Sequence, residues 1–357
     1  MESKPKILLG MSGGVDSSVA AVLLLKQGYE VIGAFMKNWS DGDDLAECSW
    51  RTERRDAQRV AAKLGIDFHT FDFEDAYRQN VYEYMLHEYE AGRTPNPDVL
   101  CNKYMKFGYL MREAEKLGCD VVATGHYARI KHDQDGTAHL LSGLDNNKDQ
   151  SYFLCQLSQD QLKKTMFPIG DLQKNEVRKI AHDHDLHVAN KKDSQGICFV
   201  GKVEMIDFLR ERIPEKEGNI ITTSGEVIGQ HRGHQYYTIG QRSGLGIGGG
   251  TPYFIVERRP GSNEVVVALG EDDERLYSTH LQAEQLSETV PDCMDNFVVQ
   301  PIQARIRYRQ PLQSCQIKQI KDGVVTVEFD QPQRAVAPGQ FIAFYNQDEL
   351  IGSAIIK

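Results

Sequence analysis

The chain has 357 residues, 40% of them hydrophobic and 26% charged, which suits two or three soluble domains of about 150 residues and excludes a single small module or a disordered chain. Forty-one Lys and Arg against fifty-one Asp and Glu leave a net charge of -10, a balance that repels nucleic acid unless positive charge is gathered locally. Seven cysteines, odd in number, widely spaced and without a C-x-x-C pair, exclude a secreted disulfide scaffold and a structural zinc site of the usual spacing.

The longest apolar run near the start, 19–25, is far shorter than the roughly 18 residues that span a bilayer, so no membrane segment is expected. The opening MESKPKILLG has neither a signal-peptide core nor transit-peptide character. A cytoplasmic protein with reduced thiols is the expectation.

In chain order, residues 6–9, 31–36, 68–73 and 121–124 read as strands, and the segments 17–27, 51–64, 76–89 and 102–117 carry helical periodicity. Gly28, Gly65 and Gly118 fall where helix stops belong. The alternation predicts an α/β domain over 1–200, a doubly wound parallel sheet with its ligand site beyond the carboxyl ends of the strands, where the loops after Leu9, Met36 and Thr124 gather. Past residue 200 one helix, 203–212, gives way to strands and Gly-rich turns. Two small β-rich domains follow, 201–272 and 273–357, the last a β-barrel. His182, His184 and His187, interleaved with Asp183 and Asp185, read as a solvated helix end rather than a metal site.

The strongest local signal is GMSGGVDSS, comprising Gly10, Met11, Ser12, Gly13, Gly14, Val15, Asp16, Ser17 and Ser18, directly after the first strand and opening the first helix. The glycines permit close backbone approach, and the unpaired N–H groups and positive dipole of a helix start favour an anion such as pyrophosphate. The segment lacks the Lys-Ser/Thr ending of a Walker loop and the G-x-G-x-x-G of a dinucleotide site. Asp16 repels bare phosphate but can hold a magnesium ion that bridges phosphate oxygens. The plain alternative is a Gly-rich strand-to-helix turn.

In TPNPDVLCN, residues 94–102, two prolines stiffen a loop, Asp98 can cap the next helix, and Cys101 is expected in its first turn, where a helix start lowers thiol pKa. Asp98 serves either as that cap or as a general acid or base. Taken alone, Cys101 reads as a small buried hydrophobe. Cys198 sits in DSQGICFVG between Gly196 and Gly201, a bendable loop suited to a thiol that carries sulfur between an outside donor and an inner acceptor, or again a plain buried thiol. Further on, strand alternation in QARIRYRQ, 303–310, puts Arg305, Arg307 and Arg309 on one face, either a cationic stripe for phosphates or a solvated face. Gly244, Gly246 and Gly249 satisfy G-x-G-x-x-G, but Pro252 follows instead of a helix, so this is a flexible loop and no dinucleotide site.

SGGVDS in its setting resembles the PP-loop of the ATP pyrophosphatases, which cleave ATP to AMP and pyrophosphate while adenylating an oxygen. Together with PNPDVLCN, ATGHYA, KDQSYFL, SQGICF and HQYYTIGQRSGLG in this order, the chain resembles the bacterial tRNA-specific 2-thiouridylases over nearly its whole length. The resemblance implies ATP-dependent replacement of the C2 oxygen of the wobble uridine by sulfur, in tRNAs of the Lys, Glu and Gln type. It implies that Gly10 to Ser17 bind ATP with its magnesium, with Met36 and Gly125 lining the adenosine pocket. Cys101 is implied as nucleophile, Cys198 as persulfide carrier, and a transient Cys101–Cys198 disulfide closes the cycle. Asn96, Pro97 and Asp98 are implied to meet the target base, with His126 near it. Lys148, Asp149, Gln150, Tyr308, Arg309 and Gln340 are implied to contact tRNA through the α/β domain and a tRNA-binding barrel. A persulfide sulfur-donor protein is the implied second partner, while DNA, a tightly bound cofactor and a structural metal are not expected. Read from the residues alone, Lys148 to Gln150 remain a solvated helix start and His126 a satisfied strand-end histidine. Two other readings are an amidating ligase using the same loop with ammonia, and a non-catalytic tRNA-binding protein.

Overall fold

The computed structural model describes residues 4–40, 49–192, 205–248 and 250–357. Strands β1 (Lys6–Gly10), β2 (Glu30–Lys37), β3 (Asp67–Asp72) and β4 (Val121–Thr124) run parallel in the order β3-β2-β1-β4. The inner runs ILL (7–9) and VAT (122–124) are buried on both faces, as a sheet covered by helices on each side requires. Helix α1 (Val15–Lys26) buries Val19, Ala20, Ala21 and Val22 in succession, because it is enclosed between the sheet and its neighbours, whereas α2 (Ser49–Leu64) shows one apolar stripe. Gly28, Gly65 and Gly118 end helices at φ values of 79°, 69° and 67°, the left-handed cap that glycine accepts without strain. Two further helices each carry a π-helical segment. In α3 (74–90) it is Arg78–Tyr82, and in α4 (97–116) it is Cys101–Tyr109.

The hairpin β5 (Ala128–His132) and β6 (Ala138–Ser142) leaves this sheet, a pair that the sequence reading does not contain. Helix α5 (Gln159–Lys163), the short strand β7 (Thr165–Met166), which joins β4, and α6 (Lys174–Asp183) complete the layer. After α7 (Met205–Arg210), strands β8 (Gly218–Thr222), β9 (Val227–His231), β10 (Tyr253–Arg259) and β11 (Glu264–Leu269) form a four-stranded sheet in the order β10-β11-β8-β9. Then β12 (Tyr277–Glu288), β13 (Pro301–Arg305), β14 (Gln313–Lys321), β15 (Val324–Arg334), β16 (Phe341–Asn346) and β17 (Glu349–Ile356) make an antiparallel ring, closed by the β12–β17 pairing. A parallel α/β sheet followed by β-rich units, the last a barrel, is the expected architecture.

Hairpin β5-β6 extends the barrel's sheet through Leu141 opposite Glu349 and Leu140 opposite Leu350. One hydrophobic cluster includes Leu8 and Val122 of the parallel sheet, Ile220 and Val265 of the central sheet, and Phe341 and Tyr345 of the barrel. The three sheets therefore share apolar contacts rather than hanging on linkers.

Two local expectations change. Strand β13 stops at Arg305, and 306–309 bend and turn, with Arg309 at φ 62°. The arginines do not alternate on one face: Arg305 is buried and ion-paired, while Arg307 and Arg309 are exposed. A buried carboxylate attracting Arg305 inward overrides the period of two. The helix expected over 203–212 is described only as α7. Among the described residues no helix is long and apolar enough to cross a membrane.

Candidate active site

In this sheet the chain moves outward one way from β1 to β3 and the other way from β4 to β7, so the crevice at the carboxyl ends of β1 and β4 is the topological switch point. The Gly-rich loop fills it. Gly13 has φ 75°, and a Cβ there would lie 2.2 Å from the Glu53 carbonyl oxygen, so only glycine lets α2 approach this closely. Gly14 is the N-cap of α1 and supplies no side chain, which leaves the first N–H groups of the helix open to an anion. Ser17 Oγ accepts from the Ser12 amide at 3.2 Å and Ser18 Oγ donates to the Gly14 carbonyl at 2.7 Å. Met36, read as lining an adenosine pocket, is half-buried near the carboxyl end of β2.

Opposite the loop, β4 is followed directly by Gly125, whose ideal Cβ would fall 2.6 Å from the Ser17 amide nitrogen. The strand end and the helix start touch through backbone. Tyr127 hydroxyl donates to Asp16 at 2.8 Å, and Lys174 Nζ from α6 lies 2.7 and 2.8 Å from the two Asp16 carboxylate oxygens. Asp16, expected as a possible magnesium ligand, is thus held by an ammonium and a phenol. Among the described residues no group of three or more His, Cys, Asp or Glu is placed to hold a metal. On the loop's other flank, Lys191 Nζ donates to the Gly13 carbonyl at 3.0 Å and to Asp56 at 2.8 Å. Lys174 and Lys191 escaped the sequence reading. Neither belongs to a motif, although Lys191 sits just before DSQGICF and Tyr127 lies within ATGHYA.

His126 is buried. Its Nδ1 is 2.6 Å from Thr124 Oγ1 and its Nε2 3.3 Å from Lys106 Nζ. An ammonium can only donate, so Nε2 accepts and Nδ1 carries the proton that Thr124 receives. Burial, reinforced by the Lys106 charge, holds the imidazole well below its ordinary value and keeps it neutral.

The segment with Cys101 begins at a cap, but the cap is Asn96, not Asp98: Asn96 Oδ1 accepts from the Val99 amide at 3.4 Å, with Pro97 at the first helical position. A β/extended Asn96 before a proline makes this the natural helix boundary. Cys101 consequently lies in the second turn, past the reach of the terminal dipole, and is 2% exposed. Asn102 Nδ2 donates to the carbonyls of Asp98 at 3.0 Å and Phe153 at 3.1 Å. Lys103, whose ammonium burial pulls below the usual lysine range, reaches Gln156 Oε1 at 3.1 Å.

The loop before Asn96 is held from both β-rich units. Gln340 Nε2 donates to the carbonyls of Thr94 at 2.9 Å and Pro95 at 3.1 Å, the Thr94 amide donates to the Pro338 carbonyl at 2.7 Å, and Arg258 Nη2 donates to Thr94 Oγ1 at 3.0 Å. Gly339, at φ 91°, lets the barrel turn come this near, since its Cβ would sit 2.9 Å from the Thr94 nitrogen. Of the residues read as tRNA contacts, Lys148 and Gln150 are half-buried and Asp149 is 5% exposed. The Asp149 carboxylate meets Arg305 Nη1 at 3.0 Å and accepts from the Gly143 and Ser151 amides, each at 3.1 Å. Gln150 Oε1 accepts from the Tyr127 amide at 3.1 Å. Tyr308 packs its ring 4.3 Å from that of Phe153, with Arg309 over its face at 5.3 Å. Cys198 lies outside the described residues.

Three family descriptions match the chain in succession: tRNA methyl transferase HUP domain over 5–202, tRNA methyl transferase PRC-barrel domain over 206–269, and aminomethyltransferase beta-barrel domain over 279–356. The tRNA-specific 2-thiouridylase MnmA of Enterococcus faecalis is 48% identical over 99% of this chain and 96% of its own length. The protein of the same description from Lactococcus lactis subsp. cremoris is 49% identical over 99% and 95%. A solved 4-thiouridine synthetase in complex with RNA and bound ATP overlays 59% of this chain and 50% of its own at 16% identity and a TM-score of 0.34, a likeness too loose to add to the fold described above.

Proposed function

This chain belongs to the tRNA-specific 2-thiouridylase family, and on that premise we propose that it thiolates the wobble uridine of tRNAs of the Lys, Glu and Gln type, using ATP to activate the C2 oxygen. It forms 2-thiouridine in tRNA and is a tRNA-uridine 2-sulfurtransferase. The single observation that supports the ATP-dependent route is the backbone contact between the Gly-rich start of α1 and Gly125 at the end of β4, which builds an anion cradle at the switch point.

Gly10 to Ser17 would hold the phosphates, with Met36 and Gly125 beside the adenosine. Asn96, Pro97 and Asp98 would present the base edge to Cys101, with His126 nearby, while Lys148, Tyr308 and Arg309 would meet the RNA. Asp149, Gln150 and Gln340 would act on that surface by holding it, because their polar groups already bond within the protein. The uridine C2 oxygen attacks the α-phosphorus, the bond to pyrophosphate breaks, and the N3 proton passes to a base, the role we give to Asp98. The adenylated oxygen is then a leaving group.

Sulfur comes from a Cys198 persulfide charged by a donor protein. Either its terminal sulfur attacks C2, AMP departs, and the Cys101 thiolate displaces the product by attacking the Cys198 sulfur, or Cys101 first frees hydrosulfide, which then attacks C2. Both routes leave a Cys101–Cys198 disulfide and require a reductant. The described residues do not fit a ready-made magnesium site, since Lys174 and Tyr127 occupy the Asp16 carboxylate. Magnesium would enter on the nucleotide's phosphates. The cytoplasm, where tRNA and reduced thiols coexist, is the proposed location.

The test incubates the protein with unmodified tRNA, ATP and a persulfide donor, then digests the RNA and weighs the wobble nucleoside. Oxygen-to-sulfur exchange is expected in the wild type and abolished in Cys101→Ser and in Cys198→Ser. Retained thiolation in either variant would remove the cysteine assignment, and incorporation of nitrogen instead would favour the amidating reading.

A further inference from the structure

We propose that Lys106 is a further catalytic residue, its ammonium, held against His126 just past the end of β4, bearing the charge of the α-phosphoryl group during adenylation and AMP departure. The inference rests on the reading above and extends it to a side chain outside that reading.

The placement follows from the helix. Cys101–Tyr109 is π-helical, so its hydrogen bonds join residues five apart and bring Cys101 and Lys106 towards one face. In an α-helix at 3.6 residues per turn they would diverge by about 140°. The same ammonium is 3.3 Å from His126 Nε2, and His126 directly follows Gly125, whose Cβ would touch the Ser17 amide. Lys106 thus spans from the thiol's helix to the strand end that walls the phosphate cradle.

Among the described residues no carboxylate compensates its charge. Lys106 is half-buried, and among the described residues it forms no ion pair, the neutral His126 ring being its polar partner. A partly desolvated cation without a counter-ion is costly unless an anion completes the site. Two described cations that flank the loop are already committed, Lys174 to Asp16 and Lys191 to Asp56. In the adenylating step the bond from the uridine oxygen to phosphorus forms as the bond to pyrophosphate breaks. In the second step the C2–O bond breaks, and its electron pair leaves on AMP. Negative charge stays on the α-phosphoryl oxygens throughout, and a preorganised donor there acts on both steps. Thr124 and His126 hold the lysine in place; they are positioning residues.

Two measurements on the full chain test this, with thermal unfolding as a check on folding. Calorimetry with AMP and with adenosine separates the phosphate from the base: Lys106→Met is expected to weaken AMP at least tenfold and leave adenosine unchanged. Turnover of unmodified tRNA should lose about a hundredfold or more in kcat, with KM for tRNA within threefold and partial recovery in Lys106→Arg. Equal AMP affinity in wild type and Lys106→Met, or a loss confined to KM for tRNA, would overturn the proposal. If Lys106→Met fails to fold, Lys106→Gln and Lys106→Arg are compared by the same two readouts, and equal AMP affinity in both overturns it too. Wild-type protein that binds AMP through Lys106 but never thiolates tRNA would overturn the sulfur-transfer reading and leave this phosphate contact standing.

Discussion

Single residues in this protein are chosen by contacts that their own neighbours in sequence do not reveal. Gly125 is needed because a backbone amide of α1 stands where its Cβ would be, whereas Gly261 meets nothing within 4 Å and has no such constraint. His126 shows how burial sets a charge state: enclosed beside Phe107, Phe167 and a lysine, it stays neutral where an exposed histidine would titrate. The sign of its effect on stability follows. The unfolded chain takes up a proton near pH 6.5 and the folded chain only well below it, so stability is full above about pH 6.5 and declines as pH falls towards the folded value. His126→Asn is expected to flatten that decline, read as the difference in urea midpoint between pH 7 and pH 5.5 for the two proteins. An unchanged difference would mean that the imidazole is protonated in the folded state.

At the level of elements, the segment from Thr94 to Tyr109 carries most of the proposed chemistry. A proline-stiffened loop, an Asn cap, one α-turn and then a π-helical stretch place Cys101 inside the protein and Lys106 on its side of the helix. The sequence reading recognises the loop and the helix but chooses Asp98 as the cap. Both residues are good caps by type, and only the fold, by leaving Asn96 extended and Pro97 helical, decides between them. Asn96→Ala is therefore expected to cost about 1 kcal/mol of stability, measured by chemical denaturation, while Asp98→Ala should change stability less and activity more. The reverse ranking would return the cap to Asp98. In the same way a period of two in QARIRYRQ is legible as a strand, yet its end at Arg305 is not, because the carboxylate that draws this arginine inward lies far off in the chain.

Across the whole molecule, polar contacts run from the Gly-rich loop into the barrel. Asp16 bonds Tyr127, the Tyr127 amide bonds Gln150, the adjacent Asp149 pairs with Arg305, and the Arg305 guanidinium lies 4.8 Å from the Tyr345 ring. Ser151 Oγ lies 3.0 Å from the Tyr345 hydroxyl, and Gln156 Nε2 donates to Ser353 Oγ at 2.8 Å. The parallel sheet, the hairpin β5-β6 and the barrel are bound by apolar core as well as by these bonds, so an RNA held as proposed at Tyr308 and Arg309 would be registered against the Gly-rich loop. Breaking the buried pair should be expensive: Arg305→Met alone is expected to lose about 3–5 kcal/mol, since it strands the Asp149 carboxylate. The double variant Arg305→Met with Asp149→Asn should lose less than the sum of the two single changes. Additive losses in denaturant unfolding would show that the pair is not energetically coupled.

Periodicity and punctuation in the sequence by themselves determined the parallel sheet, its Gly-terminated helices, the Gly-rich loop between the first strand and the first helix, and the β-rich second half. Each is written in residues a few positions apart, where side-chain spacing and backbone freedom act directly. Tertiary structure alone decided that Lys174 and Lys191 flank that loop, that Lys106 meets His126, that Gln340 and Arg258 hold the loop before Asn96, and that Arg305 turns inward to Asp149. Those partners are separated by between 20 and 246 positions. No local pattern encodes them, because burial and charge pairing depend on which surfaces the completed fold brings together.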